Sequence, residues 1–349
     1  MAATIFLGVE SSCDDTSIAV INNEGTILAN VVSSQIKEHA PFGGVVPELA
    51  SRAHLRNIPV VFQQAMDQAQ IGLDDIDVVA VTHGPGLIGS LLVGVNFAKS
   101  LAFGRNLPLV PVNHIRGHIR ALFLEHGDLP LPALTLIVSG GHTHLFLVET
   151  PDHFVLLAKT RDDAAGEAFD KLAKMLDLGF PGGAIVDKLA QSGDPKAFPF
   201  NMPRFSDGAL DYSFSGLKTA AAHQLRRDPQ RFSEPEGQAI RDLCASFQSA
   251  VVRHLLQRVR QALKVEKVAS LSLGGGVACN SHLRQSFREL GDKYRLPTYI
   301  TAPKLSTDNA AMIAAEGRHL FQQGITGSLD LNPEVRLNAF DEVRLLTGR

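Results

Sequence analysis

The feature that most constrains the fold is a strand, a short turn of small polar residues and a second strand, which the chain contains twice. In the first copy the β-rich run Thr4 to Val9 leads through Glu10-Ser11-Ser12-Cys13-Asp14-Asp15-Thr16 into Ser17 to Ile21. After the turn signal Asn22-Asn23-Glu24-Gly25, Thr26 to Ser33 adds a third strand. In the second copy Leu134 to Val138 passes through Ser139-Gly140-Gly141-His142 into Thr143 to Glu149. Such an echo points to a duplicated α/β architecture with a ligand between the halves.

With 349 residues, 45% of them hydrophobic and 20% charged, the chain has material for two sizeable cores. Its formal charge of −3 provides no overall attraction for a polyanion, so a nucleic-acid substrate needs a local basic patch or a partner protein. Cys13, Cys244 and Cys279 are few and widely spaced, as expected of free thiols in a reducing compartment. The N-terminus lacks a basic and apolar leader pattern, and no apolar run approaches ~18 residues without a charge. The expectation is a cytoplasmic protein.

Between the repeats, Leu49–Met66 has helical apolar spacing with an expected break or kink at Pro59. Asp77–Thr82 reads as a buried strand, followed by the turn His83–Ser90 and a small-residue helix, Leu91–Phe103. Leu107–Val112 is then a strand, and Asn113-His114-Ile115-Arg116-Gly117-His118 opens a helix. That spacing puts His114 and His118 on one face, close enough to hold one cation. On spacing alone such a pair is more often two ordinary histidines.

Further along, Asp162–Lys171 has the composition of an acidic helix start, and Phe180-Pro181-Gly182-Gly183 is a tight turn before Ala184–Ala190. Asp211–Lys218 is a polar turn into another helix. Arg226, Arg227 and Arg231 sit in a charged loop and read as solvated surface. Gln238–Val265 is a long scaffold helix. Val268–Leu273 is a buried strand ending in Gly274-Gly275-Gly276-Val277-Ala278-Cys279-Asn280, where Asn280 is placed to hydrogen-bond a ribose or base. After a strand at Pro297–Ala302, Thr307 or Asp308 is the expected N-cap of the last helix, a sufficient reason by itself for Asp308.

Eight stretches, in order along the chain, resemble the bacterial-type TsaD family of tRNA N6-adenosine threonylcarbamoyltransferases. They are Val9–Thr16, Gly43–Arg52, His114–His118, Val138–Thr143, Gly166–Lys171, Ser213–Lys218, Gly274–Asn280 and Ser306–Ala310. The resemblance runs from residue 5 to about residue 340. It implies a two-lobed actin/Hsp70/hexokinase-like (ASKHA) fold with a nucleotide cleft, residues 1–134 plus 309–345 forming one lobe and 135–308 the other. It also implies a divalent metal, Fe2+ or else Zn2+, on His114, His118 and Asp308. Ile137, Val138, Ser139, Gly140, Gly141, Asp170, Gly183, Asp187 and Asn280 would bind threonylcarbamoyl-adenylate. Archaeal and eukaryotic relatives have a metal-reaching tyrosine where this chain has Ile137, which suggests a shell completed by water or substrate.

The implied reaction transfers the threonylcarbamoyl group to the adenosine 3′ of the anticodon (t6A37) in ANN-decoding tRNAs, releasing AMP. The implied partners are tRNA, the inactive paralogue TsaB and the ATPase TsaE. Ser139 and the following glycines are the expected stabilisers of developing charge, and Asp14 is the candidate base by its turn position. A zincin-type protease is disfavoured because Ile115 stands where the general-base Glu must follow the first His. A kinase or ATPase of the same fold is the alternative, opposed by the histidine pair, since kinases of this fold hold Mg2+ mainly through carboxylates and phosphates. A non-catalytic scaffold would normally have lost the three ligands.

Overall fold

The computed structural model describes residues 4–203, 205–207 and 209–346. These divide into two compact units, one reaching to Gly127 together with Thr307–Ala339, the other running from Asp128 to Ser306 together with the chain from Phe340 onward.

The first unit begins with an antiparallel meander, β1 (Ile5–Glu10), β2 (Asp15–Asn22) and β3 (Ile27–Ser34), in which Glu10 faces Ser17. A short helix, α1 (Ile36–His39), precedes α2 (Pro47–Ala69). β4 (Val78–Gly84) then lies parallel to β1, α3 (Ile88–Arg105) returns the chain, and β5 (Leu109–Asn113) lies parallel to β4 before α4 (His114–His126). The sheet order is β3-β2-β1-β4-β5. β1 is buried along its whole length because strands flank it on both sides and helices pack on it, which is why its sequence does not alternate. Leu7, Val9, Val79 and Val81 meet Ile58 and Ala65 of α2 and Val95 of α3 in this unit's core.

The second unit starts with another meander, β6 (Ala133–Val138), β7 (Thr143–Val148) and β8 (Phe154–Lys159). Four helices follow: α5 (Ala165–Met175), α6 (Gly182–Ala190), α7 (Ser215–Arg227) and α8 (Gln238–Ala262). β9 (Ser270–Gly274) joins β6 in parallel, and α9 (Ser281–Tyr294) leads to β10 (Thr298–Ile300) and the short α10 (Pro303–Ser306). The chain then supplies α11 (Ala310–Gln322) to the first unit and ends with β11 (Glu342–Val343), parallel to β8. The order β8-β7-β6-β9-β10 repeats β3-β2-β1-β4-β5 strand for strand, so the echo in the sequence is an echo of topology.

Three local expectations are corrected. α2 runs on through Pro59, whose side lies in solvent beside the exposed Leu55, so the carbonyl left without a donor meets water. The tail from Phe340, expected with the first lobe, is tied to the second unit by the Phe154 amide donating to Asp341 (2.9 Å) and the Leu346 amide to the Leu157 carbonyl (3.0 Å). Asp162 does not begin a helix. Its carboxylate reaches the start of α7 and accepts from the Phe214 amide (2.8 Å) and the hydroxyls of Ser213 (2.5 Å) and Ser215 (2.7 Å).

Burial pushes the Asp162 carboxyl up, but the bonds from Ser213, Phe214 and Ser215 outweigh it and hold the group below the usual carboxylate range. A depressed folded-state pKa contributes stability that is present above the unfolded value of about 3.9 and is lost as pH falls through the folded value. Asp162→Asn therefore lowers the thermal midpoint by about 2–4 °C at pH 7, and the gap to wild type closes below about pH 4 in calorimetry.

Candidate metal centre and donor-binding turns

At the end of β5, Asn113 accepts hydrogen bonds from the amides of Ile115 (2.9 Å) and Arg116 (3.2 Å) and so caps α4. The helix starts at His114, and one turn later His118 projects from the same face. The ring centroids are 4.8 Å apart and both residues are buried. Gly117 lies between them on the side facing α11. A Cβ there would come within 2.9 Å of Ile313 Cδ1, so a larger residue would push that side chain aside where the two helices approach.

That approach brings in Asp308. The N-cap of α11 is Asn309, which accepts from the Met312 amide at 3.2 Å, and not Thr307 or Asp308 as expected. Capping is thus met by the neighbour. Asp308 Oδ1 lies 3.5 Å from His114 Nε2 and 3.2 Å from His118 Nε2. One donor atom from each residue falls within 4.8 Å of the other two. Neither ring nitrogen of the buried His118 makes a hydrogen bond, and a buried unsatisfied polar group costs about 1–3 kcal/mol. A divalent cation among the three atoms would satisfy His118 where a hydrogen bond does not, so the residues fit a metal.

Sequence reasoning missed Glu10 as a functional residue. It ends β1, is fully buried, and its Oε2 lies 3.0 Å from His114 Nδ1, which is also 3.1 Å from the Ser12 hydroxyl. Thr82 Oγ1 donates to Glu10 at 2.6 Å and the Ser12 amide at 2.5 Å. With Glu10 accepting from Nδ1–H, Nε2 on the Asp308 side is the nitrogen left to face a cation, the usual outer-shell arrangement for a ligating histidine. The available signal was a lone carboxylate closing an otherwise apolar strand.

Burial pushes His114 down, but the carboxylates of Asp308 and Glu10 overcome it and raise the imidazole to about 9. Burial likewise pushes Glu10 up, and His114 more than reverses this. On the adjoining turn, burial raises Asp14, and raises Asp15 to about 7, with the Asp308 charge adding to both. The carboxylates outnumber the cationic groups, and a bound cation would relieve their repulsion.

In the second unit the turn after β6 is braced from within. The Ser139 amide donates to the His142 carbonyl (2.8 Å), the His142 amide to the Ser139 hydroxyl (3.2 Å), and the Gly166 amide to the Ser139 carbonyl (3.3 Å). Ser139 therefore spends both its amide and its hydroxyl on the turn. The amides of Gly140 and Gly141 are exposed and meet no acceptor among the described residues, leaving two donors available to an oxyanion or phosphate. Ile137 and Val138 are buried strand residues that support this turn, Ile137 being paired with His144 and Gly274. Gly275 has φ +87°, and a Cβ on it would lie 2.4 Å from the Val138 carbonyl oxygen, so β9 can end against the same turn only with glycine there.

The remaining predicted residues gather at two helix starts, those of α6 and α9. Asp170 accepts from the Gly182 amide (2.7 Å) at the head of α6, next to Gly183, whose Cβ direction is open. Asp187 holds both the amide (3.0 Å) and the hydroxyl (2.8 Å) of Ser281 at the head of α9. Asn280 caps α9 through the Leu283 amide (2.9 Å) and donates to Gln248 (2.9 Å), so its side chain is committed at both ends. The carboxylates of Asp170 and Asp187 thus complement the positive ends of α6 and α9. Among the described residues no helix is long and apolar enough to cross a membrane.

Two mutations test the centre directly. Purified His118→Ala loses stoichiometric metal by elemental analysis. Glu10→Gln keeps the ligands and weakens metal affinity about 10–100-fold in a chelator competition. Wild-type affinity in Glu10→Gln would remove its orienting role.

Comparison with known proteins gives a consistent picture. The sequence model of the TsaD family, tRNA N6-adenosine threonylcarbamoyltransferase, matches residues 26–315. A protein of that description from Geobacter metallireducens is 48% identical over 94% of this chain and 95% of its own length. Those from Thermosipho africanus and Clostridioides difficile are 47% and 46% identical over 95% and 97% of this chain and the whole of theirs. Among solved structures, component A of the Acidaminococcus fermentans (R)-2-hydroxyglutaryl-CoA dehydratase superposes with a TM-score of 0.53 at 13% identity, covering 90% of this chain and 98% of that one. Full-length HypF in its phosphate- and nucleotide-bound form gives 0.56 at 13% identity, covering 91% of this chain and 56% of that one. At such identities the likeness is one of fold, the actin/Hsp70/hexokinase-like class.

Proposed function

Because the chain belongs to the TsaD family of tRNA N6-adenosine threonylcarbamoyltransferases, we propose how its own residues carry that family's reaction. The enzyme transfers the threonylcarbamoyl group of threonylcarbamoyl-adenylate to N6 of the adenosine 3′ of the anticodon in tRNAs reading ANN codons, and releases AMP. The observation that carries the reading is the convergence of His114, His118 and Asp308 in a chain of this family.

His114, His118 and Asp308 hold one divalent ion, Fe2+ in this reading with Zn2+ as the alternative, since two His and one Asp suit either. When bound, the ion supplies Lewis acidity to a phosphate or carbonyl oxygen of the donor. As ligands the two histidines are unavailable as bases. Glu10 fixes the tautomer of His114 from behind. The Gly140 and Gly141 amides receive negative charge on the donor, with Ser139 shaping their turn. Asp170, Gly183, Asp187 and Asn280 form the rest of the adenylate site, Asp170, Asp187 and Asn280 by setting the helix starts and Gly183 by leaving one open. As N6 bonds to the carbamoyl carbon and the bond to the phosphate oxygen breaks, the amine proton passes to Asp14, whose raised affinity for a proton suits a base. The acceptor base lies in a single-stranded loop, where RNA is read by stacking and shape. TsaB and TsaE are the proposed partners, and the cytoplasm the proposed location.

The test supplies labelled threonylcarbamoyl-adenylate, an unmodified ANN-decoding tRNA and the partner subunits. Label enters the nucleoside with wild type and is lost with His114→Ala. Asp14→Asn lowers the rate at saturating substrate by about 10²-fold or more, and a full rate in that variant removes Asp14 as base. No label with metal-loaded wild type would sink the transfer reading and favour an ATPase of this fold.

A further inference from the structure

Resting on the proposed tRNA substrate, we infer that the groove between α8 and α9 is a binding site for RNA backbone phosphate. The segment 238–295 carries ten Lys and Arg against four Asp and Glu, in a chain whose net charge is −3. Of these ten, seven lie on α8 and α9 themselves, against three of the four carboxylates. Between α8 and α9 lies a groove of about 280 Å³ with Leu290 in its lining. Arg253 and Arg260 line it from α8, and Lys293 and Ser286 from α9.

Arg253 and Arg260 are seven residues apart, two turns of one helix face, which separates them by about 10 Å along the axis. The Arg253 guanidinium is steadied by donating to the Phe200 carbonyl at 2.9 Å, with further donors left over. Arg260 and Lys293 are exposed and form no ion pair among the described residues. The one carboxylate in the lining, Glu289, accepts instead from Gln285 at 3.0 Å. Three cations converging on a groove repel one another unless an anion joins them. Guanidinium, ammonium and hydroxyl donors beside an apolar surface suit a sugar–phosphate unit.

RNA is favoured over an acidic protein because the proposed substrate is itself a polyanion and the rest of the chain is net acidic, so attraction has to be local. The exposed basic cluster Arg226, Arg227 and Arg231 serves as a comparison. There Arg226 donates to the Ala222 carbonyl and Arg231 lies over the Phe198 ring, 4.6 Å from its centroid.

The experiment measures tRNA binding by the full chain with its partner subunits across about 50–200 mM salt. R260Q/K293Q replaces two exposed side chains. It weakens tRNA binding about tenfold at ~0.1 M salt and reduces the slope of log affinity against log salt by about 2. In the transfer assay its KM for tRNA rises while kcat at saturating tRNA holds. R226Q/R227Q leaves affinity and slope near wild type. Unchanged affinity and slope in R260Q/K293Q overturn the assignment, as does an equal loss in R226Q/R227Q or a wild type that binds no tRNA. Loss of a partner subunit with the tRNA slope intact makes the groove a protein surface and also overturns it. Wild type that binds tRNA through this groove yet never modifies it sinks the transfer reading alone. Wild type that modifies tRNA beside an R260Q/K293Q variant of unchanged slope sinks the groove alone.

Discussion

The contact between Glu10 and His114 is the constraint on which the first unit's centre depends. A carboxylate removed from water is costly unless every lone pair finds a donor. Glu10 finds His114, the Thr82 hydroxyl and the Ser12 amide. These partners come from the carboxyl ends of three adjacent parallel strands and the turn after the first. β1 contributes Glu10, β4 contributes Thr82, and β5 hands the chain to His114. The same ionised group that is expensive to bury sets the ring orientation that a metal requires, so the cost is borne at a functional position.

His118 and Asp308 are held by a different means. Neither is reached by Glu10. They meet because α4 and α11 pack closely at Gly117, and because Asn309 relieves Asp308 of capping α11. A buried imidazole with neither ring nitrogen hydrogen-bonded is poor design for stability alone. Together His118 and Asp308 make sense as two sides of a cation site.

The duplicated units put opposite chemistry at the same topological place. After the first strand of one meander comes a turn rich in carboxylates, with Asp14 and Asp15 near Asp308. After the first strand of the other comes a turn whose glycines present backbone N–H groups. One turn suits a cation, the other an anion. One repeated strand pattern thus carries turns of opposite chemistry.

Much of this was legible in the residues. The two meanders, the strand before His114 and the i, i+4 histidine pair follow from local hydrophobic pattern and helical period, and local pattern is what a linear sequence carries. The exposed Gly140 and Gly141 amides were legible too, because glycine in a short strand-to-strand turn has few other uses. Glu10 and Asp308 were not decided locally. Each has a bland local reading, the tip of a hairpin and a helix cap, and only distance in space selects between it and a functional one. Glu10 lies 104 residues from His114 in the chain, and Asp308 comes just before α11, which follows most of the second unit in sequence. The same holds for the tail that joins β8, for the helix that continues through Pro59 on a solvated face, and for Asp162, which caps a helix 51–53 residues away. Sequence determined which elements form and which residue types could do chemistry. Tertiary packing decided which carboxylates stand beside which imidazoles, because burial and Coulomb interactions depend on distances that the order of residues does not contain.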